Sequence, residues 1–247
     1  MIRDALGRDF DFAAPPRRVV SLVPSLTETL FDIGVGDVVA GVTDFCIFPE
    51  NLDRPRVGGT KNPDVEAIRA LAPDLVYVNL EENLARHAER IAELAPVFAT
   101  EPKSVGDVSA LLETLGAIHR RDVGRWVDGL KPVLHSSSFT FLCPIWKKPW
   151  MWCGGDTYVS SLIERVGGQN LLGHRERYPA MDLDCALALE PQIVFLPDEP
   201  YAFTAEDATL FERVVGPFPG HLVTWHGTRT ILGLRFLRGL DLPFMTK

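Results

Sequence analysis

The chain has no run of about 18 consecutive apolar residues, so no segment of it is expected to span a bilayer. Its opening, Met1 to Pro16, is charged through Arg3, Asp4, Arg8, Asp9 and Asp11 and lacks the apolar stretch of a signal peptide. As it stands the chain is therefore expected to stay in the cytoplasm, unless an export signal is missing from it, in which case it would be periplasmic or in the cell envelope. Basic clusters are also missing, since the densest are the pairs Arg17-Arg18 and Arg120-Arg121 against a net charge of -8. That excludes nucleic acid and direct membrane insertion as partnerships. Cysteine is scarce: Cys46, Cys143, Cys153 and Cys185 are scattered without metal-ligand spacing, and are expected as buried free thiols. Cys143 and Cys153 flank one loop and are the pair to test for proximity. There is no Gly-x-Ser-x-Gly, His-Glu-x-x-His, Cys-x-x-Cys or Gly-Lys-Ser/Thr, and Gly34-Val35-Gly36 lacks a third glycine at dinucleotide-binding spacing. No catalytic residue, resident cofactor or protein-built metal cage is expected.

What is there is an alternation of short apolar strands and amphipathic helices, the pattern of an α/β protein with parallel sheets. Arg18 to Val23, Val38 to Val42, Asp74 to Val78 and Val97 to Ala99 read as strands. A helix follows Pro24, with Ser25 and Glu28 as a capping box, and others are expected over Asp64 to Leu71 and Glu82 to Leu94. Arg3 to Arg8 reads as a small hairpin. The segment Pro63 to Asn79 aligns without a gap on Met181 to Pro197, placing Asp64 on Asp182, Glu66 on Asp184, Pro73 on Pro191 and Val76 on Val194. Two copies are too few for a solenoid, so they mark two similar lobes. The expected fold is two Rossmann-like lobes with mainly parallel sheets, residues 1–118 and 137–247, joined by a long backbone helix over 119–136. In the second lobe Phe139 to Cys143 and Gln192 to Leu196 read as strands, Phe211 to Val215 as a helix or turn, and Leu222-Val223 as a short strand.

The densest local signal is Cys143 to Thr157, which holds Trp146, Trp150 and Trp152, three of the 5 tryptophans, and ends where Asp156 or Thr157 can cap a helix. With Phe45, Phe48, Tyr201, Phe203 and Trp225, these rings fall on loops after strands, where open α/β sheets place ligands. Such rings suit a large, flat, partly apolar ligand, whereas core packing is the alternative for each. His226 beside Trp225 is either an axial ligand to a metal macrocycle or a hydrogen-bonding loop residue. Asp198-Glu199 and Glu81-Glu82 are acid-base groups or hard-metal ligands on one reading and helix-end charges on the other.

The runs Arg18-Val-Val-Ser-Leu-Val-Pro-Ser-Leu-Thr-Glu-Thr-Leu30, Val57-Gly-Gly-Thr-Lys-Asn-Pro-Asp-Val-Glu-Ala-Ile68 and Ala72-Pro-Asp-Leu-Val76 resemble the class III substrate-binding proteins of ABC importers, nearest the cobalamin-binding branch. The resemblance covers nearly the whole chain after the leader. It implies a non-enzymatic, monomeric protein that captures a corrinoid in the cleft between its lobes and delivers it to an ABC importer permease. A ferric siderophore or haem is the alternative ligand, and an intracellular enzyme or chaperone handling a metallated tetrapyrrole the alternative class. By position, Phe45 matches the branch's first-lobe tyrosine and Trp225 its C-terminal tryptophan, while Thr60 and Asn79 stand where it has tryptophans. The implied ligand set is Phe45, Thr60, Asn79, Trp146, Trp150, Tyr201, Trp225 and His226, and the implied permease-docking pair is Glu66 and Asp184.

Overall fold

The structure, a computed structural model, describes residues 1–132 and 138–240. The chain forms two compact units: Met1–Pro102 with Ser109–Gly129 and Gly227–Arg229, and Lys103–Val108 with Leu130–His226 and the residues from Thr230 onward.

The first unit is built on a four-stranded parallel sheet in the order β4-β3-β5-β6, formed by β3 (Val19–Ser21), β4 (Val39–Val42), β5 (Leu75–Asn79) and β6 (Val97–Thr100). A parallel sheet covered on both faces needs apolar side chains on both, which is why these strands are unbroken apolar runs. Successive residues go to opposite faces. Val19, Tyr77 and Phe98 join one core with Leu26 and Leu30 of α1 (Pro24–Asp32) and Leu115 of α4 (Val105–His119). Val20, Val76, Val78 and Val97 join the other with Ile68 of α2 (Val65–Ala70) and Ile91 of α3 (Ala85–Ala92). The leader folds as the expected hairpin, β1 (Ile2–Arg3) against β2 (Asp9–Phe10). Its buried Asp4 accepts from the backbone N–H of Leu6, Arg8 and Ala99 and from the Arg8 guanidinium, while Ala5 N–H donates to Ala99. The hairpin thereby engages the edge strand β6, whose backbone would otherwise stay open.

Three local expectations are corrected here. Pro24 opens α1 as its first residue, with Val23 as an N-cap that makes no side-chain bond, so Ser25 lies inside the helix and the Ser25/Glu28 capping box does not form. Helix α2 begins at Val65, one residue after Asp64, which caps it by accepting from Glu66 and Ala67 N–H. A continuous helix over 119–136 is not formed: the long helix is α4, which ends at His119, Arg120 takes a left-handed φ of 52°, and α5 spans only Gly124–Gly129. Positions 133–136 of that stretch lie outside the described residues. Residues up to Val108 group with the second unit and those from Ser109 with the first, so the chain passes between units inside α4.

The second unit repeats the architecture with β7 (Phe139–Leu142), β10 (Gly168–Asn170), β11 (Ile193–Pro197) and β12 (Val214–Phe218) in the parallel order β10-β7-β11-β12. The gapless repeat is structural. Asp182 stands at the N-cap of α7 (Leu183–Leu187) where Asp64 stands at that of α2, but without Asp64's side-chain bond, and the residue before each following proline, Ala72 or Glu190, is left-handed at φ 45° or 54°. Residues 214–218 form β12, where a helix or turn was expected up to Val215, because Val214 and Val215 pair with β11. Leu222-Val223 lies in α9 (His221–Thr224), since two apolar residues are too few to set a period. Between β7 and α6 (Tyr158–Glu164) the tryptophan stretch is a hairpin, β8 (Pro144–Trp146) against β9 (Met151–Trp152), and Thr157 caps α6. The remaining helices are α8 (Ala205–Ala208) and α10 (Thr230–Arg238).

One short segment from the far end of the chain belongs to the first unit. The 3-10 turn Gly227–Arg229 lies on α1: Thr228 N–H donates to Thr29 Oγ1 at 3.2 Å, its hydroxyl donates to Asp32 at 2.6 Å, and Arg229 donates through Nε and Nη2 to the two Glu28 oxygens at 2.6 Å each. Gly227 has φ +82°, and a Cβ there would stand 2.0 Å from Thr29 Oγ1.

Two stability outcomes follow. Gly227→Ala adds a steric overlap to a left-handed backbone and is expected to cost about 3 kcal/mol or more, against about 1 kcal/mol for Gly7→Ala, whose φ is +75° but whose Cβ meets nothing within 4 Å; urea unfolding of both variants gives the comparison. For Asp4, burial raises the pKa but the bonds from Arg8 and Ala99 outweigh it and hold the carboxyl below its usual range. A depressed folded pKa stabilises above the unfolded value and is lost as pH falls through the folded one. Asp4→Asn should therefore lower stability by about 1–2 kcal/mol at pH 7, with the gap to wild type closing below about pH 4, as read from unfolding midpoints across that range.

Candidate functional site

Parallel sheets point all their strand ends the same way, so in each unit the loops after the strands share one rim. In the first unit the loop after β4 projects Phe45, 58% exposed, and Ile47, 55% exposed, and the turn after β5 projects Leu80, 37% exposed. The loop that carries Phe45 is held from within. Arg56 Nη1 donates to the carbonyls of Thr43 and Cys46, the Cys46 thiol is buried 3.2 Å from the hydroxyls of Thr27 and Thr43, and the Arg229 guanidinium lies 3.7 Å from the centre of the Phe48 ring. Beneath it, burial pushes the Glu28 carboxyl up and the Arg229 bonds pull it back, leaving it raised. Phe45 also lies against Gly59, where a Cβ would come within 3.3 Å of the ring. Thr60 is half-buried beside it, and its carbonyl accepts from Asn83. Asn79 is 4% exposed; its Oδ1 accepts from Glu81 N–H and its N–H donates to Asn83, so the side chain shapes the turn and is not presented at the surface.

In the second unit the β8–β9 hairpin sorts its three tryptophans by environment. Trp152 is fully buried and donates from Nε1 to the Met181 carbonyl at 2.9 Å. Trp150 is half-buried, stacked on Trp152 at 5.6 Å and on Phe203 at 5.8 Å between ring centres. Trp146 is 42% exposed and meets Tyr201 edge-on at 5.4 Å, and Tyr201 in turn lies 4.8 Å from Phe203. Lys147 ion-pairs with Asp207 while standing 5.7 Å from the centre of the Trp150 ring, and that bond raises the lysine pKa and lowers that of the aspartate.

Trp225 is half-buried with its ring 5.9 Å from His221. His226 is 5% exposed, edge-on to Tyr158, and desolvation brings its pKa down to about 4, so it is neutral near pH 7 inside the unit. Of its two readings, this places it as an interior imidazole. Asp198 accepts from Gly220 N–H and Glu199 from the Thr224 hydroxyl, so both carboxylates brace α9, in keeping with the helix-end reading. Among the described residues no group of three or more His, Cys, Asp and Glu side chains is placed to hold a metal ion. Glu66 is 71% exposed with Arg69 as its partner at 3.1 Å, and Asp184 is exposed in the first turn of α7. Ile47, Leu80, Lys147 and Asp207 escaped the sequence reading. The first two follow strands as Phe45 does and were findable on that ground, whereas the ion pair joins residues 60 apart with no local signal.

Residues 19–121 match the family model described as periplasmic binding protein. A Bacillus subtilis ABC transporter substrate-binding lipoprotein is 24% identical over 263 residues, covering 96% of this chain and 83% of that protein. The vitamin B12-binding protein of Vibrio vulnificus is 24% identical over 197 residues, covering 74% and 72%. Among solved structures, a periplasmic heme binding protein from Pseudomonas aeruginosa superimposes with a TM-score of 0.73 at 20% identity, covering 94% of each chain, and so shares the fold. The expectation of a cytoplasmic protein is overturned by the match to a periplasmic binding protein model and by the Bacillus subtilis relative, a lipoprotein, since both are exported kinds of protein. Both the family match over residues 19–121 and the relatives are of binding proteins and not enzymes, and it is these that the chain resembles.

Proposed function

We propose that this protein works outside the cytoplasm, binds a corrinoid-type metal chelate and hands it to an ABC importer permease. The observation that carries the reading is the exposure of aromatic and aliphatic groups at the strand-end rims: Phe45 and Ile47 in one unit, Trp146 with Tyr201 in the other. Exposed rings on a rim held rigid from beneath give large apolar area with little side-chain entropy to lose, which is what a broad macrocycle needs. Trp225, Thr60 and the partly covered Trp150 add to this set, while the buried Asn79 and His226 act behind it. The vitamin B12-binding relative supports a corrinoid over other chelates. No resident cofactor is proposed, since the chelate is cargo. Glu66 and Asp184, exposed at equivalent places of the repeat, are the proposed docking groups for the permease.

Titration with cyanocobalamin, haemin and a ferric siderophore, followed by tryptophan fluorescence and ligand absorption, tests the ligand. Cyanocobalamin should bind; selective binding of haemin or the siderophore removes the corrinoid but keeps a metal chelate, and no binding at all ends the reading. Trp146→Ala should weaken cyanocobalamin binding roughly tenfold or more with an unchanged unfolding midpoint. It is a cleaner probe than Trp150→Ala, because Trp150 is stacked into the core and its loss costs stability too. Joint replacement of Glu66 and Asp184 by Ala should leave the dissociation constant unchanged and abolish uptake measured with the permease in vesicles; a large loss of affinity would move the pair out of the docking role.

A further inference from the structure

The two thiols beside the tryptophan hairpin have no part in the ligand reading, yet the fold brings them together. Strand β7 runs through Cys143 directly into β8, and β9 runs into Cys153. The antiparallel register sets Pro144 opposite Trp152, which leaves Cys143 opposite Cys153 at the open end of the hairpin. Cys153 N–H donates to the Cys143 carbonyl at 2.8 Å, and both side chains are buried, at 1% and 0% exposure. Directly opposed residues of an antiparallel pair have Cα atoms about 4.5–5.5 Å apart, inside the roughly 4.4–6.8 Å range that disulfides span. The other two cysteines are differently placed: Cys46 is in the first unit among threonine hydroxyls, and Cys185 is exposed on α7.

We infer that Cys143 and Cys153 form a disulfide site, a covalent clasp across the base of the hairpin that carries Trp146, Lys147 and Trp150. Bond formation removes two electrons and two protons from the thiols. The acceptor is the disulfide of a thiol-disulfide oxidoreductase or of oxidised glutathione, which leaves as two thiols after a mixed-disulfide step. Outside the cytoplasm such acceptors prevail, and in that respect the inference rests on the proposed export. Contact with Cys153 and burial both push the Cys143 thiol up in the folded protein, so it is a poor nucleophile once packed. The exchange therefore takes place while the hairpin is still open to solvent, and the finished bond is sheltered from reductant.

The test uses the whole chain refolded in a glutathione redox buffer, beside a preparation kept in reductant and one exported to an oxidising compartment. Each is denatured, its free thiols are alkylated with iodoacetamide, the sample is reduced, and the newly freed thiols are alkylated with N-ethylmaleimide before peptide mapping. Cys46 and Cys185 should carry the first label in all three samples. Cys143 and Cys153 should carry the second label in the refolded and exported samples and the first in the reduced one. First-label modification of both in the refolded protein overturns the inference, as does pairing of either with Cys46 or Cys185. The refolded arm supplies its own oxidant, so failure of export alone, seen as a reduced pair only in the exported arm, is told apart from failure of the site. The thermal midpoint should rise on the order of 5–10 °C on oxidation, with no such rise when both residues are replaced by Ser; an unchanged midpoint would refute the clasp.

Discussion

The first unit depends on one buried ion pair, that between Glu28 and Arg229. Both side chains are nearly shut off from water, at 10% and 5% exposure, and meet through two bonds of 2.6 Å. Removing two charges from water is costly, and the pair exists because the guanidinium fork matches the carboxylate and also lies on the Phe48 ring. Losing one partner would leave the other as an uncompensated buried charge, a penalty of about 3–5 kcal/mol. Through Glu28 the pair fixes the returning turn on α1, and through Phe48 it fixes the loop whose tip is Phe45. A single interaction thus joins chain connectivity to the shape of the candidate rim.

The repeat shows how one scaffold carries two different surfaces. The units share a short helix with an aspartate at its N-cap position, the left-handed residue before proline and the parallel strand that follows. They diverge where the strands end. After β4 the first unit makes a tight loop braced by Arg56 and Arg229, with single apolar groups outward. After β7 the second unit inserts a hairpin whose rings pack on one another, so that Trp150 and Phe203 form a base on which Trp146 and Tyr201 stand. The sheet is common because burial on both faces dictates it, and the loops differ because nothing in the core constrains them.

The sheets and the repeat were legible because burial on both faces leaves unbroken apolar strands and because Pro63 to Asn79 recurs without a gap. The leader hairpin and the Thr157 cap were legible for local reasons of turn and cap chemistry. What escaped is non-local. Ser25 and Glu28 have the spacing of a capping box, but Pro24 starts the helix two residues too early for it, and Glu28 is claimed by a residue 201 positions away. Strand β12 and helix α9 were misread because their apolar runs are too short to show a period. His226, beside Trp225, was open to two readings in the sequence, ligand or hydrogen-bonding loop residue, and the tertiary packing that buries it against Tyr158 is not visible there.

The tryptophan stretch shows where sequence-level reasoning ends. Concentration of rings alone does not separate a core from a site, since both bury aromatic area. Hydrogen bonding and exposure together do separate them. Trp152 has its N–H satisfied by a backbone carbonyl and no exposure, which is the signature of packing. Trp150 offers both faces to other rings and so gives support. Trp146 keeps an indole two-fifths in water on a hairpin whose other rings are sheltered. Stability does not require that exposure, because a ring in water forfeits the roughly 25 cal/mol per Å² that burial would return. A lone exposed apolar residue is ordinary, but this one is backed by Tyr201 and Phe203 in a continuous ladder reaching into the core. A ring so braced loses little freedom when a partner covers it, and that preorganisation, more than the number of tryptophans, is the reason to read the hairpin as a binding surface.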